Sequence, residues 1–370
     1  MKLLMVGFDG LEPSMIMKLP TFGKFRKKLH LLHTVPSTMT EEAWGAMYTG
    51  RPPSQINVIA LSRDPDSVST LKGIGAQTIF EALGEAGLRI GCIGMPMTFP
   101  IKNIDAFMVA GFPITAPQYR DDDEYFYPPD IKEIVLSTYY AYLWANEETP
   151  PRKEAVTFEA IDYSIERELE KITCVRQILR KLNHIDLDFL AIGFSFTDIA
   201  AHCRRIYPID RTYKAADKVL QEIIETFGFD NLLIVSDHGL AMVPWRGKPF
   251  IENPETTHRR YGTCICVGKD LELALKRSKI KKYLKFIRKT RSRPISCILK
   301  LFRKLKRAWK YREYGILFYL LSSIDITDVY SLIAKVFGLP QKSKLVKQEG
   351  EYTEDELRSI KNQLELLGYM

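Results

Sequence analysis

The chain lacks any apolar run long enough to cross a bilayer. Its best candidate, Ile316 to Leu321, is a fragment of the roughly 20 apolar residues a spanning helix needs. Cysteine is scarce, with six in 370 residues and no CxxC pair, which argues against a disulfide framework. Cys264 and Cys266 alternate in TCICVG, so they share one strand face and read as core. The opening MKLLMVGFDG has one basic residue and an apolar run too short for a signal peptide, so a cytoplasmic start is expected. Acidic residues are missing from one long stretch. Between Lys276 and Arg312 stand seventeen Lys and Arg and no Asp or Glu. Taking those from the chain's 53 leaves 36 basic against 45 acidic residues, a net charge of −9 beneath the overall +8. The positive charge is local.

What is present is an alternation. The apolar runs LLMVGFDG, LRIGCIGMP, DFLAIGFSFTD, NLLIVSDHG and GTCICVG each end at polar or glycine residues. Helical patterns intervene over Glu41 to Tyr48, Gln77 to Ala86, Ile165 to Leu182 and Tyr213 to Phe227. Continuous apolar strands between amphipathic helices predict an α/β fold with a mostly parallel sheet covered on both faces. In such sheets the loops leaving the carboxyl strand ends build the active site. Asp9, Asp198 and Asp237 all fall at or beside that edge.

Asp198 and His202 are spaced D-x-x-x-H, one helical turn apart, so both could face one ion. Asp237 and His238 adjoin in SDHG, where Gly239 permits an irregular turn. His258 stands just before the strand Thr263 to Val267. Each motif alone is as well explained by a solvated pair or a loop histidine. Their joint placement is not, because three of only six histidines meet three strand-end aspartates. Three carboxylates and three imidazoles suit two borderline ions, zinc or else manganese. In HTVPSTMTEEAWGAMYTGRPP, the hydroxyls of Ser37, Thr38 and Thr40 precede a helix. Thr40 sits where an N-cap would, at the positive end that favours an alkoxide or a phosphoryl oxygen. Taken alone, it is a capping threonine.

Together these residues resemble the alkaline phosphatase superfamily, in its type I phosphodiesterase and nucleotide pyrophosphatase branch. The resemblance runs from VGFDG through TMTEEAWGAMYTG, IGMPMTFPIKNIDAFMVAGF, FTDIAAH, SDHG and THRRYG to IDITDVYSLIAKVFGLP and the closing YTEDEL…LLGYM. It implies an alkaline-phosphatase-like three-layer sandwich holding two divalent ions. Asp198, His202 and His258 would hold one ion; Asp9, Asp237, His238 and the Thr40 oxygen would hold the other. The branch's spacing to its Thr-Gly pair, here Thr49-Gly50, implies Thr40 as the nucleophile, which would pass through a phosphothreonine. Ile56, Asn57 and Val58 replace the branch's usual His-Gly-Ile, and Ala43 stands where eukaryotic members place Asn. Nucleotide preference is therefore not carried over. No C/S-x-P-x-R context supports the sulfatase branch, and there is no room for the mutase branch's inserted domain.

The expected organisation is a catalytic body of 1–272 and 316–370, with 111–160 as a cap excursion and 273–315 as a basic helical insertion. A closing helix would begin at Thr353. The expected activity is cleavage of phosphodiester or pyrophosphate bonds. A crude charge count favours diesters, because two dications against three carboxylates and an alkoxide leave about zero; Arg51 or Arg259 could shift it toward monoesters. A phosphomonoesterase or phosphotransferase on the same site is the alternative, and a docking protein with a vestigial site is the alternative of another class. The segment ISCILKLFRKLKRAWKYREYGILFYLL mixes basic and aromatic residues at helical spacing. It suits the anionic inner face of a membrane, as equally a hairpin packed on the body, and with less support nucleic acid. Membrane docking would point to a lipid head-group substrate rather than another small phosphoester.

Overall fold

The computed structural model describes residues 1–56, 74–98, 101, 106–111, 125–138, 158–183, 185–198, 209–240, 258–276 and 323–343. The apolar runs form the centre of one sheet. β1 (Leu3–Phe8) is buried along its whole length, flanked in parallel by β6 (Phe189–Phe194) and β7 (Asn231–Ser236). Beyond β6 lie β3 (Ile90–Ile93), β4 (Ala106–Val109) and the short edge strand β5 (Phe126–Tyr127). Beyond β7 lie β10 (Tyr261–Val267), β2 (Leu29–His33) and β11 (Ser323–Asp325). Five of the eight pairings are parallel; β10 runs against both neighbours and β5 runs against β4. A separate two-stranded ribbon joins β8 (Gly239–Leu240) to β9 (His258–Arg259).

Side chains alternate across a strand, and β1 divides its own between two cores. Leu4, Val6 and Phe8 pack in one buried cluster with residues of α1 (Pro13–Ile16), α2 (Pro20–Lys24), α6 (Phe158–Lys181) and α7 (Ile209–Thr226). Leu3 and Met5 pack in the other, with α3 (Thr40–Thr49), α4 (Ile79–Glu85) and α8 (Asp328–Val336). Each fully buried aliphatic or aromatic side chain stabilises the fold by about 1.5–3 kcal/mol, so a strand loaded on both faces is firmly held. The expected three-layer sandwich is the observed one.

Local chemistry explains where boundaries differ from the sequence reading. The helix expected from Gln77 begins at Ile79, because Thr78 caps it in a reciprocal capping box with Glu81. Thr40 is the first residue of α3 and not its N-cap. Met39 takes the cap position in extended backbone, without a side-chain hydrogen bond. The helices expected from Ile165 and Tyr213 start earlier, at Phe158 and Ile209. Within the expected excursion, residues 125–138 contribute β5 and α5 (Lys132–Ser137), and Tyr125, Phe126, Ile131 and Val135 join the first core cluster. Cys264 and Cys266 lie together in the second core, as expected, with their sulfurs 3.8 Å apart. The basic stretch from 277 to 315, Ile316 to Leu321 and the helix expected from Thr353 lie outside the described residues. Among the described residues no helix is long and apolar enough to cross a membrane.

Candidate active site

Sheet register delivers the first three acidic and imidazole groups. Phe8 pairs with Phe194 on one side and Ser236 on the other, so the residues after β1 and β7 emerge side by side. Asp9 leaves β1, with its amide on the Phe194 carbonyl at 2.8 Å. Asp237 and His238 leave β7. Gly10 turns the chain with φ +69, and its amide donates to Asp237 Oδ1 at 3.2 Å. A Cβ there would press within 3.1 Å of the Asp198 side chain, so glycine serves both the backbone turn and the close approach. Ser236 Oγ ties the corner together, accepting from the Leu11 amide at 2.8 Å and donating to the His238 carbonyl at 2.6 Å.

Asp198 arrives differently, four residues past the end of β6. Its amide is held by the Ser195 carbonyl at 3.2 Å, and the Thr197 hydroxyl donates to the Asp9 carbonyl. His258 arrives at the same edge because β10 runs antiparallel: a residue before β10 lies where the carboxyl ends of the parallel strands lie. The β8–β9 ribbon sets Leu240 opposite His258, and the imidazoles of His238 and His258 stack at 3.7 Å with 16° between planes.

The structure thus brings Asp9, Asp198, Asp237, His238 and His258 together, while His202 lies outside the described residues. His238 Nε2 is 3.3 Å from Asp9 Oδ1, 3.4 Å from Asp237 Oδ2 and 3.8 Å from Asp198 Oδ1. His258 Nε2 is 3.4 Å from Asp198 Oδ1. Two overlapping groups, Asp9–Asp237–His238 and Asp198–His238–His258, each offer ligand atoms within 4.8 Å of one another.

The tautomers are legible from the backbone. His238 Nδ1 faces the Gly239 carbonyl at 3.2 Å, and His258 Nδ1 faces the Thr38 carbonyl at 3.0 Å. A carbonyl only accepts, so each Nδ1 donates, and in a neutral ring each Nε2 is a lone pair aimed at carboxylate oxygens. Among the described residues, Asp9 Oδ1, Asp237 Oδ2 and His238 Nε2 are buried without a hydrogen-bond partner. Buried polar atoms are normally satisfied; acceptors facing acceptors need a cation or extra protons between them. The titrations express this need. Burial raises Asp9 well above the carboxylate range, and the Asp237 and Asp198 charges raise it further. Burial pushes Asp237 up to about 7, with Asp198 adding to it. For His238, burial favours the neutral ring, but Asp9 and Asp198 together outweigh it and the net shift is upward. For His258 burial prevails over the Asp198 attraction, and the shift is downward. The residues fit divalent cations, and histidine–carboxylate donors are those zinc and related ions take.

The loop before α3 joins the site through His258. Thr38 adopts φ +58, which turns its carbonyl to the imidazole. Of the loop's three hydroxyls, Ser37 donates to Glu42 Oε2 at 2.5 Å and Thr38 to the Ser37 carbonyl at 2.6 Å. Thr40 makes no such bond among the described residues and is 8% exposed. The arginines weighed as substrate cations are engaged elsewhere. Arg51 donates to the Ser343 hydroxyl at 2.8 Å and carbonyl at 2.5 Å, and Arg259 pairs with buried Glu12 at 3.5 Å.

The sequence pattern of the family described as type I phosphodiesterase / nucleotide pyrophosphatase matches residues 3–301. The chain belongs to that family. Among solved structures, the chain is similar to phosphonoacetate hydrolase from Sinorhizobium meliloti 1021, at 15% identity and TM-score 0.41, over 65% of this chain and 56% of that one. It is similar to murine ectonucleotide pyrophosphatase / phosphodiesterase 5, at 14% identity and TM-score 0.40, over 66% and 59%. Wild-type alkaline phosphatase PafA stands at 13% identity and TM-score 0.40, over 65% and 63%. The chain spans less than two thirds of the length of each. No curated protein matches it.

Proposed function

We propose that this chain is a metal-dependent hydrolase of phosphodiester or pyrophosphate bonds, with Thr40 as its nucleophile. The single observation that carries the reading is the convergence of Nε2 lone pairs and buried carboxylates at one sheet edge, beside the loop that carries Thr40. Asp9, Asp237 and His238, with the Thr40 oxygen, would hold one divalent ion; Asp198 and His258, with His202, would hold the other. Bound there, zinc or manganese supplies charge to neutralise the transferring phosphoryl group and to lower the pKa of a hydroxyl.

The chain's own groups do the rest. Thr40 begins α3, and the first backbone amides and positive end of a helix favour a phosphoryl oxygen there. Its hydroxyl is the one of the three with no local acceptor among the described residues, so no protein bond has to break before it loses its proton. Bond formation from Thr40 Oγ to phosphorus, with cleavage of the bond from phosphorus to the leaving oxygen, gives a phosphothreonine. The proton given up by Thr40 is balanced by the one the departing alkoxide takes up. Water then attacks that phosphorus and the Thr40 Oγ–P bond breaks. The phosphorylated product leaves with the water oxygen, and one water proton returns to Thr40. His258 holds the loop through the Thr38 carbonyl and so links nucleophile placement to the ligand set.

Diesters are favoured over monoesters because Arg51 and Arg259 are committed to Ser343 and Glu12. A monoanionic phosphoryl group matches a site whose two dications meet three carboxylates and an alkoxide, whereas a dianion asks for an added cation. The decisive experiment is a hydrolysis screen of bis-aryl phosphates, aryl monophosphates and nucleotide pyrophosphates with Zn or Mn. Faster turnover of monoesters than of either other class would reverse the preference. The charge segregation of 276–312 supports docking to an anionic membrane and a lipid head-group substrate. Co-sedimentation with anionic liposomes should fall when that segment is deleted.

A further inference from the structure

Two charged side chains, Glu168 and Lys171, lie on the core-facing side of α6 and are 7% and 1% exposed. They interrupt an apolar stripe of Ile165, Ile172, Val175 and Ile178. A buried ion pair gains little over apolar packing of the same volume, because desolvation offsets the attraction. Stability alone therefore does not explain the pair, and its contacts point elsewhere.

Both residues grip backbone groups on either side of Phe194, where β6 leaves the sheet. Lys171 Nζ donates to the Gly193 carbonyl at 2.6 Å and lies 3.3 Å from Glu168 Oε1 and 5.2 Å from the Phe194 ring centre. Glu168 accepts from the Ser195 amide at 2.7 Å and from the Ser195 hydroxyl at 2.6 Å. The chain between is held by the Asp9 amide on the Phe194 carbonyl, and Asp198 hangs from the Ser195 carbonyl. Space for the ammonium is built in: a Cβ on Gly94 would fall 2.7 Å from Lys171 Cε and Nζ. Burial holds the Lys171 ammonium below the usual lysine range, and Glu168 opposes that shift.

We infer that Glu168 and Lys171 are a positioning pair, which fixes the exit of β6 and thereby places the Asp198 carboxylate against His258. They act through the Gly193–Ser195 backbone. The inference rests on the reading of Asp198 as a metal ligand, and it assigns the pair to that half of the site only. Outer partners of metal ligands typically govern affinity by about 10–100-fold.

The test is calorimetric titration of the metal-free full chain with Zn²⁺, comparing wild type with Glu168→Gln, Ser195→Ala and Asp198→Asn. Glu168→Gln is expected to weaken one of two zinc-binding steps by about 10–100-fold and to leave the other unchanged. Ser195→Ala removes one of two bonds to Glu168 from a partly exposed residue and should weaken the same step severalfold without lowering the melting midpoint. If Glu168→Gln does not fold, Ser195→Ala decides. Asp198→Asn should abolish the step the others weaken. Wild-type affinities at both steps in the folded variants, with one step lost in Asp198→Asn, overturn the positioning role alone. Both steps intact in Asp198→Asn overturn the ligand reading and this inference with it.

Discussion

The two halves of the candidate metal centre are built in different ways. Asp9 and Asp237 follow directly on β1 and β7, so the hydrogen-bonded register of two adjacent buried strands sets their spacing. Asp198 stands four residues beyond β6 and depends on a turn held by Ser195, Thr197 and, beneath them, Glu168 and Lys171. A ligand at a strand end inherits its position from the sheet. A ligand beyond the strand must be positioned by side chains, and single substitutions can reach it.

The largest effect expected falls on the proposed nucleophile, where the strand-end half meets the loop before α3. Thr40→Ala should reduce hydrolysis of a bis-aryl phosphate at least about 1000-fold, as loss of a nucleophile does, while zinc content by mass spectrometry stays near that of wild type. Full activity in this variant would remove Thr40 from the chemistry. Exhaustive chelation should silence turnover almost as completely, and added Zn or Mn should restore it; activity that survives chelation would leave the comparison without a metal centre.

A third prediction isolates the strand-end half by pH. Asp237 is raised to about 7 in the fold, above its usual carboxylate value, by burial and then by Asp198. Between those values the folded chain binds more protons than the unfolded chain. Stability of the metal-free protein therefore falls as pH rises through that window, by on the order of a few kcal/mol. Thermal melts from pH 4 to 8 should show the fall, and Asp237→Asn should lessen it, leaving the part that raised Asp9 and His238 contribute. A metal-free wild type whose melting point rises over that range would contradict the arrangement. The smallest effect is Ser236→Ala, which removes the bonds to Leu11 and His238 but not the strand register. A loss of about 1 kcal/mol in stability and a severalfold loss of turnover are expected, measured by denaturant melts and steady-state kinetics.

How much could be read in advance followed the same division. Asp9, Asp237 and His238 close apolar runs, so their meeting was legible from strand ends alone. The meeting of His258 with them depended on β10 running antiparallel, and TCICVG looks the same in either direction. Thr40 matched a capping residue by its place before Glu41 and Glu42, yet Met39 holds that position. Glu168 and Lys171 were invisible because charged residues are ordinary on amphipathic helices; only the contacts show that they face inward. The strand at Phe126–Tyr127 is too short to carry a period and lies in a stretch dense with Pro and acidic residues.

The reversed direction of β10 also bears on how the site comes into being. The ligand corner joins residues far apart in the chain: Gly10 meets Asp237, Thr38 meets His258 and Leu11 meets Thr263, each more than two hundred positions distant. Contacts of such separation close late, after most of the chain's loop entropy has been spent. Until β10 has entered between β2 and β7, His258 has no fixed place beside Asp198. A nascent or partly folded chain therefore offers no complete set of the proposed ligands, and tight capture of a divalent ion would mark a finished sheet.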